Sequence, residues 1–421
     1  MSTTAPAPAW WEVYAAVTVE LGAGFGYTPV GSLWGTATWG QAEWGAGLVP
    51  AEWTDITPAV LSVSVDTGRS GLFDPGEVGR ATVTLFDRFG AYGLSGRPAL
   101  GALLRVSATL PGAEPIRLFV GRISQAGADH DLLEPKVTIG ADDVLAVAFA
   151  GTEPQPMPAQ TTSERLGWLM AGNLWPGWAQ AVETDPTAHL AGSGTPKGRL
   201  DTARAAVADA GGTMWADGSG VIHYRTRNYV VADPTPAYYL TTGPDPYPAP
   251  SRLGLLENLD PVVNELAWSN TKELPDNDPG VISATRQDVT SKQRFGLKHS
   301  GRDDLTLAAQ SDLDERADRE IALYSWPRSR VDPVEVFVQS PDSAAVLGAA
   351  VGQLVHVTYT GSDPWARAQL VAGYALDVSP DSLSMTLHLS DPLAVIGEGP
   401  SAWGLTRWGE ATWQLEGGAD A

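Results

Sequence analysis

Beyond Trp53 the chain keeps returning to one pattern, a short run of alternating apolar and polar side chains closed by glycine or proline. Residues 60–65 read Val-Leu-Ser-Val-Ser-Val and residues 81–86 read Ala-Thr-Val-Thr-Leu-Phe, with Gly-rich sequence between them. A period of two sends successive side chains to opposite faces of an extended strand, so each run asks for a sheet with one buried face. Residues 12–19, 103–110, 116–123 and 135–139 carry the same signal. With 46 Gly and 32 Pro among 421 residues the connections read as turns, which favours strands over helical bundles. Strands at this spacing predict an antiparallel barrel or sandwich.

The pattern breaks at a proline-rich linker, residues 153–160 (Glu-Pro-Gln-Pro-Met-Pro-Ala-Gln). Beyond it, Ser163 is placed to cap a helix with Leu166, Leu169 and Met170 on one face. A second helix over 200–210 aligns Leu200, Ala203 and Val207, and Gly211-Gly212 stops it. The turn Asp217-Gly218-Ser219-Gly220 then separates two short runs, 214–216 and 221–224, as in a hairpin. Another proline-rich linker, 243–250, leads to a strand at 262–268 and a helix over 311–326 with Leu313, Ala317, Ile321 and Tyr324 on one face. Pro327 ends that helix. Strands follow at 334–339, 354–359, 369–378 and 384–389.

The expected fold is therefore mainly β with an α+β middle. A first antiparallel β-barrel or sandwich domain is assigned to 51–152, a small α+β domain to 161–242, and a second barrel with an inserted helix to 251–395. Residues 1–50 are expected to hold an opening strand and a Trp-Gly segment, and residues 396–421 a second such segment. The first contains Trp34-Gly35, Trp39-Gly40 and Trp44-Gly45; the second contains Trp403-Gly404, Trp408-Gly409 and Trp413. A spacing of five matches neither the helical nor the strand period. A tryptophan among glycines needs a surface for its ring. Trp34, Trp39, Trp44, Trp403, Trp408 and Trp413 are accordingly the candidate docking residues, with protein contact preferred over stacking on host glycans.

Chemistry is harder to find. There is no cysteine, which removes disulfides, thiolate zinc sites and a cysteine nucleophile together. The six histidines, at 130, 189, 223, 299, 356 and 388, show no metal-ligand spacing. Asp129-His130-Asp131 has the residue types to hold a metal, and Asp276-Asn277-Asp278 is cation-like in composition but lacks the later bidentate Glu of a calcium loop; for these and for Asp142-Asp143 and Asp303-Asp304 a solvated turn is the default reading. No nucleophile elbow or phosphate loop is present, so no catalytic residue, metal or cofactor is expected. A net charge of −22, with five lysines in the chain, opposes nucleic-acid capture; it is read equally as plain solubility or as a surface that lies near DNA without holding it. No apolar run reaches the ~18 residues of a membrane span, and residues 1–11 lack the pattern of a signal peptide, so synthesis in a cytoplasm is expected.

Several segments, in order over about 50–395, resemble phage tail hub and minor tail proteins. Trp53-Thr54-Asp55-Ile56-Thr57 leading to 60–68, then Gly79-Arg80-Ala81-Thr82-Val83-Thr84-Leu85-Phe86-Asp87, is similar to their first barrel. Val120-Gly121-Arg122-Ile123 and Asp142-Asp143 fit its later strands, and 200–225 is similar to the small domain. Arg294-Phe295-Gly296, the helix at 311–324, Val351-Gly352-Gln353-Leu354-Val355 and 384–391 resemble the second barrel. The Trp-Gly repeats resemble those of phages that infect actinobacteria, although they and the 243–250 linker lie outside the common hub core. The resemblance implies a structural, non-enzymatic protein of the virion tail tip or baseplate. It implies a homotrimer whose two barrels per chain make a pseudo-sixfold ring continuing the tail tube. Distal tail, tape measure and fibre proteins would be its partners, with DNA only in transit. Rival readings are a distal tail ring, a glycan-binding adhesion protein and a wall-degrading enzyme.

Overall fold

The computed structural model describes residues 14–23, 52–68, 77–87, 100–129, 135–152, 157–171, 180–182, 188–192, 197–226, 236–243, 250–257, 262–271, 281–327, 329–361 and 364–390. The fold is mainly β. Strands β1 (Ala16–Ala23), β2 (Glu52–Asp55), β3 (Val60–Gly68), β4 (Arg80–Phe86), β5 (Leu103–Thr109), β6 (Ile116–Asp129) and β7 (Lys136–Asp143) pair antiparallel in the order β3-β4-β7-β6-β5-β1-β2. Alternation decides the faces: Val63, Val65, Ala81, Val83, Leu85, Val137 and Ile139 are each at most 2% exposed. Full burial of one such aliphatic side chain contributes about 1.5–3 kcal/mol. β1 starts at Ala16, with Tyr14 and Ala15 before it outside the strand. β6 outruns its expected end because the ladder to β7 continues to Asp129 opposite Lys136. A short helix, α1 (Val144–Ala148), follows β7 directly.

The middle unit holds β8 (Gln160–Thr161), α2 (Thr162–Met170), β9 (Gln180–Val182), β10 (His189–Leu190), α3 (Arg199–Ala210), β11 (Thr213–Ala216) and β12 (Ile222–Arg225). Helix α2 begins before the expected cap, because Thr161 and not Ser163 takes that position. Glu164 N–H donates to Thr161 Oγ1 at 3.3 Å and Thr161 N–H donates to Glu164 Oε2 at 2.9 Å. Ser163 has Leu166 three residues on and cannot close this reciprocal box. Leu166, Leu169, Ala203, Val207, Met214 and Tyr224 make the core between the helices and the β11-β12-β9 sheet.

Strands β13 (Tyr238–Thr241) and β14 (Arg252–Glu257) flank the second linker. A further α+β unit then appears, with β15 (Glu265–Ser269), β16 (Ser283–Gln287), α4 (Val289–Phe295), β17 (His299–Arg302) and α5 (Gln310–Tyr324). The strand expected at 262–268 is β15. It pairs with β16 and β17 on its two edges and takes no place in the large sheet. Leu313 and Ala317 of α5 cover Leu266, Trp268 and Ala284 on one face of this small sheet.

The remaining elements are β18 (Ser329–Phe337), α6 (Pro341–Ala344), β19 (Leu354–Tyr359), β20 (Trp365–Ser379) and β21 (Ser382–Ser390). They join the two halves of the chain into one 13-stranded sheet. One edge of β20 runs along β21. The other pairs first with β19, from Trp365 to Leu370, and then with β3, from Gly373 to Val378. A register shift between Val371 and Gly373 lies at the changeover. The apolar core is continuous across it, with Val63 and Val65 beside Leu376 and Val378.

Candidate assembly surfaces

The residues picked out as docking elements, Trp34, Trp39, Trp44, Trp403, Trp408 and Trp413, lie outside the described residues, as do His130, Asp131, Asp276 and Asp278. The acidic doublets have structural partners. Asp142 pairs with Arg80 at 3.4 Å, and Asp304 with Arg302 at 3.2 Å. Among the described residues no three His, Asp or Glu side chains are grouped to hold a metal. His189 meets Asp312 at 3.2 Å and His299 meets Glu265 at 3.4 Å. A cavity beside α2 and α3, lined by Met157, Arg165, Lys197 and Thr306, holds about 20 Å³, room for about one water and no organic substrate.

Asp143 is the buried member of its doublet and a structural cap. Its Oδ2 accepts from Gly79 N–H at 2.7 Å and its Oδ1 from Leu145 N–H at 2.9 Å, tying β4's approach and α1 to the end of β7. Burial, partly offset by those N–H bonds, pushes its pKa up to about 7. The folded state therefore binds the proton more tightly than the unfolded chain does. Its contribution is greatest below the ordinary carboxylate range and is lost as pH rises towards about 7. Melting temperature followed from pH 4 to 8 should show this falling component in the parent chain. Asp143→Asn should remove it and melt below the parent at low pH, because its amide N–H₂ cannot accept the bond from one of the two backbone donors, with the gap narrowing as pH rises towards about 7.

The β11–β12 hairpin connects three parts of the molecule. Asp217 Oδ1 accepts from Ser219 and Val221 N–H, both at 2.9 Å, and its Oδ2 lies 2.9 Å from His223 Nε2. Burial opposes ionisation of Asp217, but His223 and the backbone donors hold its carboxyl below the usual range. The turn sits so close to β6 that a Cβ on Gly218 would lie 2.1 Å from Arg117 O. His223 stacks on Trp215 at 5.0 Å, Arg225 lies over the same ring at 4.9 Å, and Arg225 donates to Gly352 O at 3.0 Å. Next to this joint, buried Tyr374 on β20 donates to Leu118 O on β6 at 2.6 Å. Burial raises its phenol pKa, so it stays a donor.

The face of the large sheet opposite the core is polar where β20, β3, β4, β7 and β6 meet, and many of its side chains there are short. Across strands one row runs Asp66, Arg80, Asp142, Arg122, with charges of alternating sign. The next runs Asp377, Ser64, Thr82, Gly140, Gln125, and a third continues through Ser62, Thr84, Thr138 and Gly127. Sequence alternation set Ser62, Ser64, Thr82 and Thr84 on the polar side of their strands. It gave no sign that both halves of the chain share this face.

No protein-family model matches the chain, and no curated protein matches it in sequence. Solved structures do. The tail protein from Neisseria meningitidis MC58 aligns with a TM-score of 0.59 over 91% of this chain and 98% of its own, at 13% identity. The 43 kDa tail protein of prophage MuSo2 from Shewanella oneidensis aligns with a TM-score of 0.58 over 90% of this chain and 99% of its own, at 12% identity. At such identities the likeness is one of architecture, and it extends along nearly the whole of each chain: the fold of this protein is the fold of these tail proteins.

Proposed function

We propose that the chain is a structural hub protein of a bacteriophage tail tip or baseplate. Three copies form a ring that continues the tail tube; distal tail, tape measure and fibre proteins attach to it, and DNA passes through its lumen unbound. The end-to-end fold likeness to tail proteins, over 91% of this chain, carries this reading. The joined sheet supports it, since each copy offers two fused halves and three copies offer six. The polar face of that sheet is the surface assigned to the lumen. Its short Ser and Thr side chains and paired charges present no array of free cations, and a net charge of −22 works against phosphate capture. The six tryptophans are assigned to contacts with neighbouring tail-tip proteins, and no catalytic step is assigned to any residue. Among the described residues no helix is long and apolar enough to cross a membrane.

The mass of the purified full chain in solution tests the ring. A species of three chains of 44.4 kDa is expected in sedimentation or native mass measurements. A monomer that persists at the highest attainable concentration overturns the ring.

A further inference from the structure

Positive charge is concentrated around α4 in a chain whose net charge is −22. Residues 284–302 carry Arg286, Lys292, Arg294, Lys298 and Arg302 against a single carboxylate, Asp288. Three of these cations have acidic partners: Asp314 and Asp318 for Arg286, Glu265 for Lys292, and Asp209 and Asp304 for Arg302. Arg294 and Lys298 have no carboxylate partner among the described residues. The Arg294 guanidinium lies 5.5 Å from the Phe295 ring and 5.7 Å from that of Trp326, and those rings meet edge to face at 5.4 Å. Between the two cations in sequence, Leu297 is 60% exposed. A lone exposed leucine needs no explanation. This one lies in sequence between two cations that lack a carboxylate partner among the described residues, two positions from Phe295, and Arg and Trp are residue types at which binding energy concentrates.

We propose that this patch docks on the acidic surface of a second copy of the chain. The inference rests on the ring reading and names the contact that builds it. Charge complementarity selects the occupant, because a second copy carries −22 and its carboxylates outnumber its cations 49 to 27. Charge also limits the symmetry. The patch cannot sit on a two-fold axis against its own counterpart without setting Arg294 and Lys298 against like charges. The contact therefore joins unlike surfaces, and such a contact repeated head to tail closes into a ring where its rotation allows.

The test uses the full chain and the variants Arg294→Glu/Lys298→Glu and Leu297→Asp, each compared by sedimentation at low and high salt. A melting curve establishes that each variant is folded. Exposed charge pairs weaken with ionic strength, so the parent assembly should loosen on going from about 50 to about 500 mM salt. The folded variants should dissociate at a concentration roughly tenfold or more above the parent's, and the charge-reversed one should lose its salt dependence. Folded variants that assemble as tightly as an oligomeric parent overturn the patch and leave the ring standing. A parent that is monomeric throughout overturns the ring itself. If charge reversal unfolds the chain, Arg294→Gln/Lys298→Gln with the same readout decides.

Discussion

Gly68→Ala is expected to destabilise the chain by about 3 kcal/mol or more, because one added carbon creates two faults. Gly68 ends β3 with φ at +82°, a conformation that L side chains rarely adopt. Its new Cβ would also lie 2.5 Å from Ala372 O and 2.6 Å from Gly373 Cα, at the point where β20 changes partner. Those are backbone atoms of a central strand and cannot swing aside. Gly112→Ala separates the two faults, since Gly112 has φ at +74° with nothing within 4 Å of a Cβ. It should cost about 1–2 kcal/mol from backbone conformation alone. Heat and urea unfolding of both variants measures the difference. Equal losses would mean that the close approach of β3 to β20 contributes nothing.

A second large effect is expected at Arg165, which is 1% exposed yet charged. Its Nε donates to Gln160 Oε1 at 2.8 Å, and its Nη2 donates to Pro158 O at 3.0 Å and to Ala191 O at 2.8 Å. One planar fork thus satisfies acceptors from two chain segments, the approach to α2 and the residues after β10. Arg165→Met should cost about 3–5 kcal/mol, since it leaves several buried acceptors unsatisfied at once. Arg165→Lys should cost nearly as much, because a single ammonium on a flexible stem cannot reproduce the fork. Loss of hydrogen-exchange protection in the middle unit, beyond any change elsewhere, is the matching local readout. A lysine variant as stable as the parent would show that charge alone suffices there.

How much of this could be read in the sequence follows from how each element is buried. Strands with one face in the core announce themselves, as Val63 and Val65 or Ala81, Val83 and Leu85 do by alternation. β16 and β17 do not. Ser283–Gln287 buries Ala284 alone and His299–Arg302 buries none of its side chains, so neither shows a period. Both are held by pairing with β15, which is a long-range fact. The cap of α2 was legible in principle, since Thr161 and Glu164 have the spacing of a reciprocal box. The joint through β20 was not, because a strand's second partner leaves no mark on its own alternation. The same holds for the α4 surface. Its basic composition stands in plain sequence, but which cations are already neutralised depends on residues as distant as Asp209 and Asp314.

The shared strand has a mechanical consequence. Because β20 is bonded to β21, β19 and β3 within a single run of 15 residues, the two halves have no hinge between them. Turning one against the other requires bending a sheet whose core passes uninterrupted beneath the bend. A pull along β20 loads the six residue pairs that join it to β3 in parallel rather than one after another. Force applied at one half is therefore delivered to the other as strain in the shared sheet rather than dissipated as rotation.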